Sequence, residues 1–141
     1  MDRNEQTRPT LALEYSYGLR SNASSKNNQK LIANIWELGL ANANQLIEVP
    51  IRSHGLQHFT VAIMLNLAYP NRLLIDLELA LEGLKQAISN NYSEAEIKQL
   101  RDNIIEANSW KDHSDFQTLE ILPCSTIIIG GMFDIFQDLG K

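Results

Sequence analysis

Hydrophobic and polar positions alternate near the start of the chain. Between residues 11 and 17 one side of the pattern is apolar, at Leu11, Leu13, Tyr15 and Tyr17. This period of two predicts a half-buried strand. Residues 31–38 form a second apolar segment that ends at Gly39, and the polar stretch 18–30 between the two predicts a loop. Two strands joined in this way predict an antiparallel hairpin.

Two later segments are almost continuously apolar. Residues 59–67 (FTVAIMLNL) and 126–129 (TIII) have no polar face. Such runs are typical of strands that are buried on both faces in a parallel sheet. The pattern of residues 39–57 does not distinguish a short helix from an irregular connection, because Pro50 interrupts the apolar positions.

Helical spacing follows the first of these strands. Leucine and isoleucine recur at helical intervals at Leu73, Leu77, Leu81, Leu84 and Ile88. The pattern predicts an amphipathic helix that lies on the sheet, with Asn71 as its N-cap. Ser93 and Glu96 have the spacing of a capping box and predict a second helix. We expect a loop over 110–118, and a loop or a new helix after residue 133.

The order hairpin, strand, helices, strand is that of the middle of an open α/β sheet. We therefore predict a mostly parallel open sheet with an antiparallel hairpin, flanked by helices. Residues 1–9 are polar and predict a disordered N-terminal tail, and residues 10–141 predict one incomplete domain.

Composition narrows the class of function. The 141 residues carry 12 Lys and Arg against 17 Asp and Glu, a net charge of −5. An acidic chain without a basic stripe argues against nucleic-acid and membrane-surface partners. The apolar runs are shorter than the roughly 20 residues that span a bilayer. Cys124 is the only cysteine, which excludes an intrachain disulfide and favours a cytosolic compartment.

A nucleotide site is the first chemistry to seek in such a sheet. The phosphate-binding loop needs the pattern GxxxxGK[ST], and it occurs nowhere in the chain. Its absence argues against autonomous nucleotide hydrolysis, so we expect no cofactor and no catalytic residue.

Three positions nevertheless match a degenerate Ras-like nucleotide site. Thr10 stands where a switch threonine would touch magnesium, although strand initiation is the simpler interpretation. Gly39 closes the WELG segment at the place of a DxxG turn, but Trp36 replaces the aspartate and cannot help to hold a metal. A strand end with a packed Trp36 is therefore favoured over a functional turn.

Asp134 is the third position. In a guanine-reading NKxD pattern the aspartate accepts hydrogen bonds from the base, but Gly131 and Met132 replace the asparagine and lysine here. Asp134 could instead cap a following helix, and this interpretation is favoured.

Histidine and cysteine chemistry is less well supported. His54 and His58 have the i, i+4 spacing of a helical zinc pair, but no further ligand residues lie near them in the sequence. Surface histidines are therefore favoured over a zinc site. Cys124 has no identifiable activating base, so a buried thiol is favoured over a nucleophile.

Several segments together resemble a known family. TLALEY at 10–15 followed by IANIWELG at 32–39 is similar to the cytoplasmic dynein 2 light intermediate chain family. Three further segments resemble that family in the same order, LNLAYPNRL at 65–73, WKDH at 110–113 and IIIGGMFDIFQDL at 127–139. Asn66 and Met132 depart from the Asp and Lys that the family commonly carries.

The resemblance implies a Ras-like fold in a non-catalytic motor subunit. Such a subunit binds the dynein 2 heavy chain and other dynein 2 subunits, stabilises the heavy chain and supports retrograde intraflagellar transport. It implies a location in the cytoplasm, the cytoskeleton and the cilium, at the basal body and axoneme. Family members carry a P-loop-like segment upstream and further elements downstream, so we expect a truncated member.

Two alternatives remain. One is a small GTPase-like switch protein, which rests on the predicted sheet and on Asp134. The other is a truncated isoform with no independent function.

Overall fold

The computed structural model describes residue 10 and residues 12–21, 30–39 and 43–138. It is an α/β structure with an antiparallel pair of strands, a parallel pair of strands and packed helices. The predicted tail at 1–9, Leu11 and most of the predicted loop, at 22–29, lie outside the described residues.

The predicted antiparallel hairpin is confirmed. Strand β1 (Leu13–Ser21) pairs with β2 (Lys30–Leu38) in a register that runs from Leu13 opposite Leu38 to Ser21 opposite Lys30. The predicted loop was wrong in beginning at residue 18, because the strand continues through Gly18 to Ser21. Backbone pairing with β2 satisfies these residues whatever their polarity, so the change to polar side chains does not end the strand.

The open segment before the parallel pair forms two short helices. They are α1 (Ala43–Leu46) and α2 (Glu48–His54). Pro50 is the third residue of α2 and is buried. It is tolerated there because the first turn of a helix needs no backbone donor. Of the two sequence-based alternatives, the helix is therefore the one that forms.

The predicted parallel pairing is confirmed, but the predicted burial is wrong. Strand β3 (Thr60–Asn66) runs parallel to β4 (Ser125–Gly131). Ile63 is the only buried residue that the structure describes in these two strands. In β4 the side chains of Ile127, Ile128 and Ile129 are all exposed. Burial on both faces needs helices on both sides of a sheet, whereas the helix over residues 73–91 that packs on this pair contacts it mainly through β3.

The predicted amphipathic helix is α3 (Leu73–Asn91), which packs against β3. Its buried residues lie in its second half, at Gly83, Leu84, Ala87 and Ile88. The prediction that Asn71 is the N-cap was wrong. A 3-10 turn over Pro70–Arg72 precedes the helix, and no side chain caps it.

The second predicted helix is α4 (Glu94–Ala107), and its capping box is confirmed. Glu96 N donates to Ser93 Oγ at 3.4 Å, and Ser93 N donates to Glu96 Oε2 at 2.8 Å. A 3-10 turn (Trp110–Asp112) follows within the predicted loop. After β4 the helical alternative forms as α5 (Phe133–Asp138). No helix in the described parts of the chain is long and apolar enough to cross a membrane.

The hydrophobic core lies between the short helices and α3. Its buried members come from α2 and the residues beside it, from α3 and from the segment before β4: Ile47, Ile51, Leu56, Leu84, Ala87, Ile88 and Cys124. Leu38 of β2 and Val61 of β3 pack against this core. The hairpin and the parallel pair are therefore attached to the same helices.

Candidate functional site

Two of the predicted site residues lie at the same end of the hairpin. The Thr10 hydroxyl donates to Glu37 Oε1 at 2.6 Å, and the Gly39 amide donates to the Ala12 carbonyl at 3.3 Å. Thr10 precedes β1, which begins at Leu13, so it does not start the strand as predicted. Its hydroxyl serves to tie the chain before β1 to the end of β2.

Trp36 is packed, as the favoured interpretation of the WELG segment predicts. Its ring centroid lies 4.7 Å from that of Tyr15 across the hairpin and 6.1 Å from that of His54 at the end of α2. The indole Nε1 is buried and has no hydrogen-bond partner among the described residues. Trp36 thus joins the hairpin to α2 through ring contacts at the position where a GTPase carries an acidic residue.

The carboxyl ends of the parallel strands lie just before the third predicted residue, Asp134. Asn66 ends β3 opposite Gly131 of β4, and the Asn66 side chain accepts a hydrogen bond from Ala68 N at 3.0 Å. Met132 follows β4 with a left-handed φ of 59°, a conformation that costs a non-glycine residue roughly 1–2 kcal/mol. It turns the chain directly from β4 into α5.

Asp134 lies in the first turn of α5 and not at its N-cap. A carboxylate there interacts favourably with the helix dipole. No hydrogen bond or ion pair of the described residues joins Asp134 to Thr10 or Gly39. The structure therefore brings Thr10 and Gly39 together and leaves Asp134 on a separate element.

The histidine pair does not form a helical metal site. His54 ends α2, whereas His58 follows the helix, and both side chains are exposed. Among the described residues no group of three or more His, Cys, Asp or Glu side chains is arranged to hold a metal ion.

Cys124 is buried, as predicted. Burial raises the pKa of its thiol, an effect that a hydrogen bond with Thr126 partly offsets. It lines an open groove of about 480 Å³ between the end of α4 and the start of β4, together with Trp110 and His113. A thiol held in its neutral form is a poor nucleophile.

Sequence reasoning missed two features. Arg52 of α2 donates to Asn91 Oδ1 at 2.6 Å and to Glu48 at 2.8 Å, and so clamps α2 to the end of α3. The first half of α3 also exposes aliphatic side chains on its outer side. The signal was present, since the segment LLIDLELAL contains more apolar residues than one buried helix face can use.

The arrangement defines a class of protein. An antiparallel hairpin, helices and a parallel pair of strands, in open sheets, are in line with a partial Ras-like fold. The positions that would serve a nucleotide in that fold carry Trp36 and Met132. No protein-family model matches the chain.

Comparison with curated proteins gives the particular relatives. The chain is 38% identical to cytoplasmic dynein 2 light intermediate chain 1 of Bos taurus, 35% identical to that of Homo sapiens and 32% identical to that of Danio rerio. Each match covers 98% of this chain. The chain spans about 40% of the length of these relatives. The chain is therefore similar, along nearly its whole length, to part of the cytoplasmic dynein 2 light intermediate chain.

Proposed function

We propose that the chain acts as a non-catalytic light intermediate chain subunit of the cytoplasmic dynein 2 complex. In this role it binds the heavy chain, supports heavy-chain stability and contributes to retrograde intraflagellar transport. The single observation that carries the proposal is similarity at 32–38% identity along nearly the whole chain to proteins that all bear the same name.

The chemistry of the degenerate nucleotide positions supports the non-catalytic part of the proposal. An indole at Trp36 cannot hold a magnesium-bound water, and a methionine at position 132 cannot lie over a guanine as a lysine does. The Thr10 hydroxyl is engaged with Glu37. We propose that the chain needs no nucleotide and that these positions serve packing.

The proposed partners are the dynein 2 heavy chain and other dynein 2 subunits, without nucleic acid or membrane. The proposed location follows from such partners: the cytoplasm, the cytoskeleton and the cilium, including the basal body and axoneme. The net charge of −5 supports protein partners over nucleic acid.

Co-purification tests the proposal. An affinity-tagged chain is expressed in ciliated mammalian cells, and the captured proteins are identified by mass spectrometry. We expect enrichment of the dynein 2 heavy chain over the level seen with the tag alone. If the heavy chain is not enriched, the proposed function is wrong.

Two variants control the capture. Glu106→Lys changes an exposed residue at the end of α4, and this variant is expected to capture as much heavy chain as the wild type does. Leu84→Asp places a charge at a position with 0% exposure and is expected to lose both fold and capture. Equal capture by wild type and Leu84→Asp would mean that the heavy chain binds the unfolded chain or the matrix.

A further inference from the structure

The outer edge of the hairpin is an unpaired strand. β1 pairs with β2 on one side, and the sheet that the structure describes has no strand on the other side. Leu38 of β2 packs against the core, so β1 is the strand that lies farther out. The nine residues Leu13–Ser21 include no proline and no lysine, which commonly protect an edge from pairing. The β1 edge is therefore open to another strand.

The backbone of β1 directs hydrogen-bonding groups to this open edge at every second residue. The Gly39 amide donates to the Ala12 carbonyl at 3.3 Å, in the register that continues with Leu13 opposite Leu38. Hydrogen-bonded positions alternate along an antiparallel pair. The even positions from 14 to 20 therefore bond with β2, and the backbone groups of the odd positions point away from it.

Two exposed charges on one face of β1 have no partner of opposite sign. Glu14 lies directly opposite Glu37 across the hairpin, where like charges repel. Arg20 lies on the same face of the strand as Glu14, because side chains at even positions share a face. No ion pair among the described residues involves Glu14 or Arg20. One face of the edge strand thus carries a free acid near one end and a free base near the other.

A second copy of β1 supplies both missing partners. When two copies pair antiparallel about a two-fold axis, one register overlaps the full length of Leu13–Ser21. Tyr17 is the middle residue of the strand, so it lies on the axis opposite Tyr17 of the second copy. Glu14 then lies opposite Arg20 of the second copy, and Arg20 lies opposite the second copy's Glu14. The register of greatest overlap is therefore also the register that pairs opposite charges.

The directions of the backbone groups agree with this register. Tyr17 and the other odd positions point their backbone groups to the open edge, so they form the hydrogen-bonded pairs between the two copies. Glu14 and Arg20 fall at the alternate positions, where opposite side chains approach more closely. On the same face Ser16 lies opposite Gly18 of the second copy, and a Cβ atom at Gly18 would meet nothing within 4 Å. Small residues therefore leave both ion pairs unobstructed.

We infer that the chain forms a homodimer through its β1 edge, in which the two hairpins join into one continuous antiparallel sheet. Each dimer gains an ion pair at either end of the shared edge. Tyr17 and Leu19, which are 63% and 61% exposed, gain cross-strand neighbours on the other face. Because a two-fold axis uses the same edge of both chains, the assembly closes at the dimer.

Charge reversal on β1 tests the dimer. Sedimentation velocity of the purified chain at rising concentration should show a species of twice the chain mass of 16.0 kDa. Arg20→Glu places glutamates opposite each other at both ends of the edge, and it should raise the dimer dissociation constant about tenfold or more. Glu14→Arg should do the same. Combining Glu14→Arg with Arg20→Glu exchanges the two charges and should restore the wild-type dissociation constant.

A matched control changes a charge on the other strand. Lys30→Glu reverses an exposed charge on β2 and leaves the β1 edge unchanged, so this variant should dimerise as the wild type does. Circular dichroism checks that every variant keeps its secondary structure. A chain that stays monomeric up to about 0.1 mM would overturn the inference. Assembly beyond the dimer, or a double variant that remains as weak as Arg20→Glu, would overturn it as well.

Discussion

At the scale of single residues, the lack of a side chain at Gly130 of β4 makes room for the side chain of Leu67, which follows β3. A Cβ atom at Gly130 would lie 2.7 Å from Leu67 Cδ1 and 3.1 Å from Leu67 Cγ. Leu67 is held by the hydrogen bond from its amide to the Gly131 carbonyl at 3.0 Å. The glycine therefore lets the turn after β3 fold back over the end of β4.

Gly130→Ala should destabilise the fold. The added methyl group forces the Leu67 side chain from its position. Because that side chain is half-buried and can rotate, we expect a cost at the lower end of the roughly 1–3 kcal/mol that overpacking causes. Gly131→Ala is the matched control, since its Cβ would meet only the Leu65 carbonyl at 3.8 Å. Urea unfolding followed by circular dichroism measures both. Equal free energies of unfolding for the two variants would contradict the packing account.

The Cys124 thiol should react slowly with a thiol reagent in the folded protein. Its side chain is 5% exposed, and burial raises its pKa, so little thiolate is present near neutral pH. We expect labelling by a chromogenic disulfide reagent to accelerate strongly in urea. Equally rapid labelling with and without urea would show that the thiol is accessible and that this part of the core is open.

At the scale of elements, α3 has two sides with different energetic roles. Leu84→Ala removes a side chain with 0% exposure and should cost about 2–5 kcal/mol. Leu74→Ala, at 74% exposure, should change the free energy of unfolding by no more than about 0.5 kcal/mol. Thermal or urea unfolding distinguishes them. A larger cost at Leu74 than at Leu84 would mean that the helix is rotated from the orientation described.

The capping box of α4 predicts a pH dependence. The Ser93 hydroxyl, followed by the Ser93 amide, holds the pKa of Glu96 below its ordinary value of 4.5. A lowered pKa means that the ionised glutamate stabilises the fold above the unfolded value. This contribution is lost as the pH falls through the folded value.

Ser93→Ala should therefore destabilise the protein at neutral pH, by about 1 kcal/mol for the lost N-cap. The difference from wild type should shrink as the pH falls below 4.5 and Glu96 becomes protonated. Urea unfolding at several pH values measures this difference. A gap between the two proteins that widens at acid pH has the opposite sign and would contradict the account.

Local signals were sufficient for some elements and insufficient for others. The period of two in β1, the helical spacing of α3 and the Ser93–Glu96 box are properties of neighbouring residues, and each predicted its element. The exposure of Ile127 to Ile129 depends on which helices cover the faces of the sheet, which no local pattern contains. The prediction of Asn71 as N-cap failed because Pro70 begins a 3-10 turn that contains Asn71.

The candidate site shows the same division. The identity of Trp36 was enough to predict packing in place of metal chemistry, because an indole lacks the necessary oxygen. That Trp36 packs on His54 could not be predicted, since it depends on how α2 crosses the hairpin. The separation of Asp134 from Thr10 and Gly39 likewise depends on tertiary structure.

At the scale of the whole molecule, we propose that a GTPase-shaped arrangement serves as a scaffold. Titration of the chain with a fluorescent guanine nucleotide and magnesium should give no saturable binding at micromolar concentrations. Trp36 lacks the carboxylate that helps to hold magnesium, and Gly131 and Met132 lack the side chains of the asparagine and lysine that accompany the aspartate in a guanine site. A micromolar dissociation constant would revive the switch-protein alternative.

The most direct test of the scaffold role combines partner and nucleotide in one measurement. The purified chain and the purified dynein 2 heavy-chain tail are mixed and passed over a size-exclusion column, with and without GTP and magnesium. We predict that the two proteins co-elute in equimolar amounts and that GTP and magnesium do not change the amount of complex. Separate elution, or a complex that forms only with nucleotide, would contradict it.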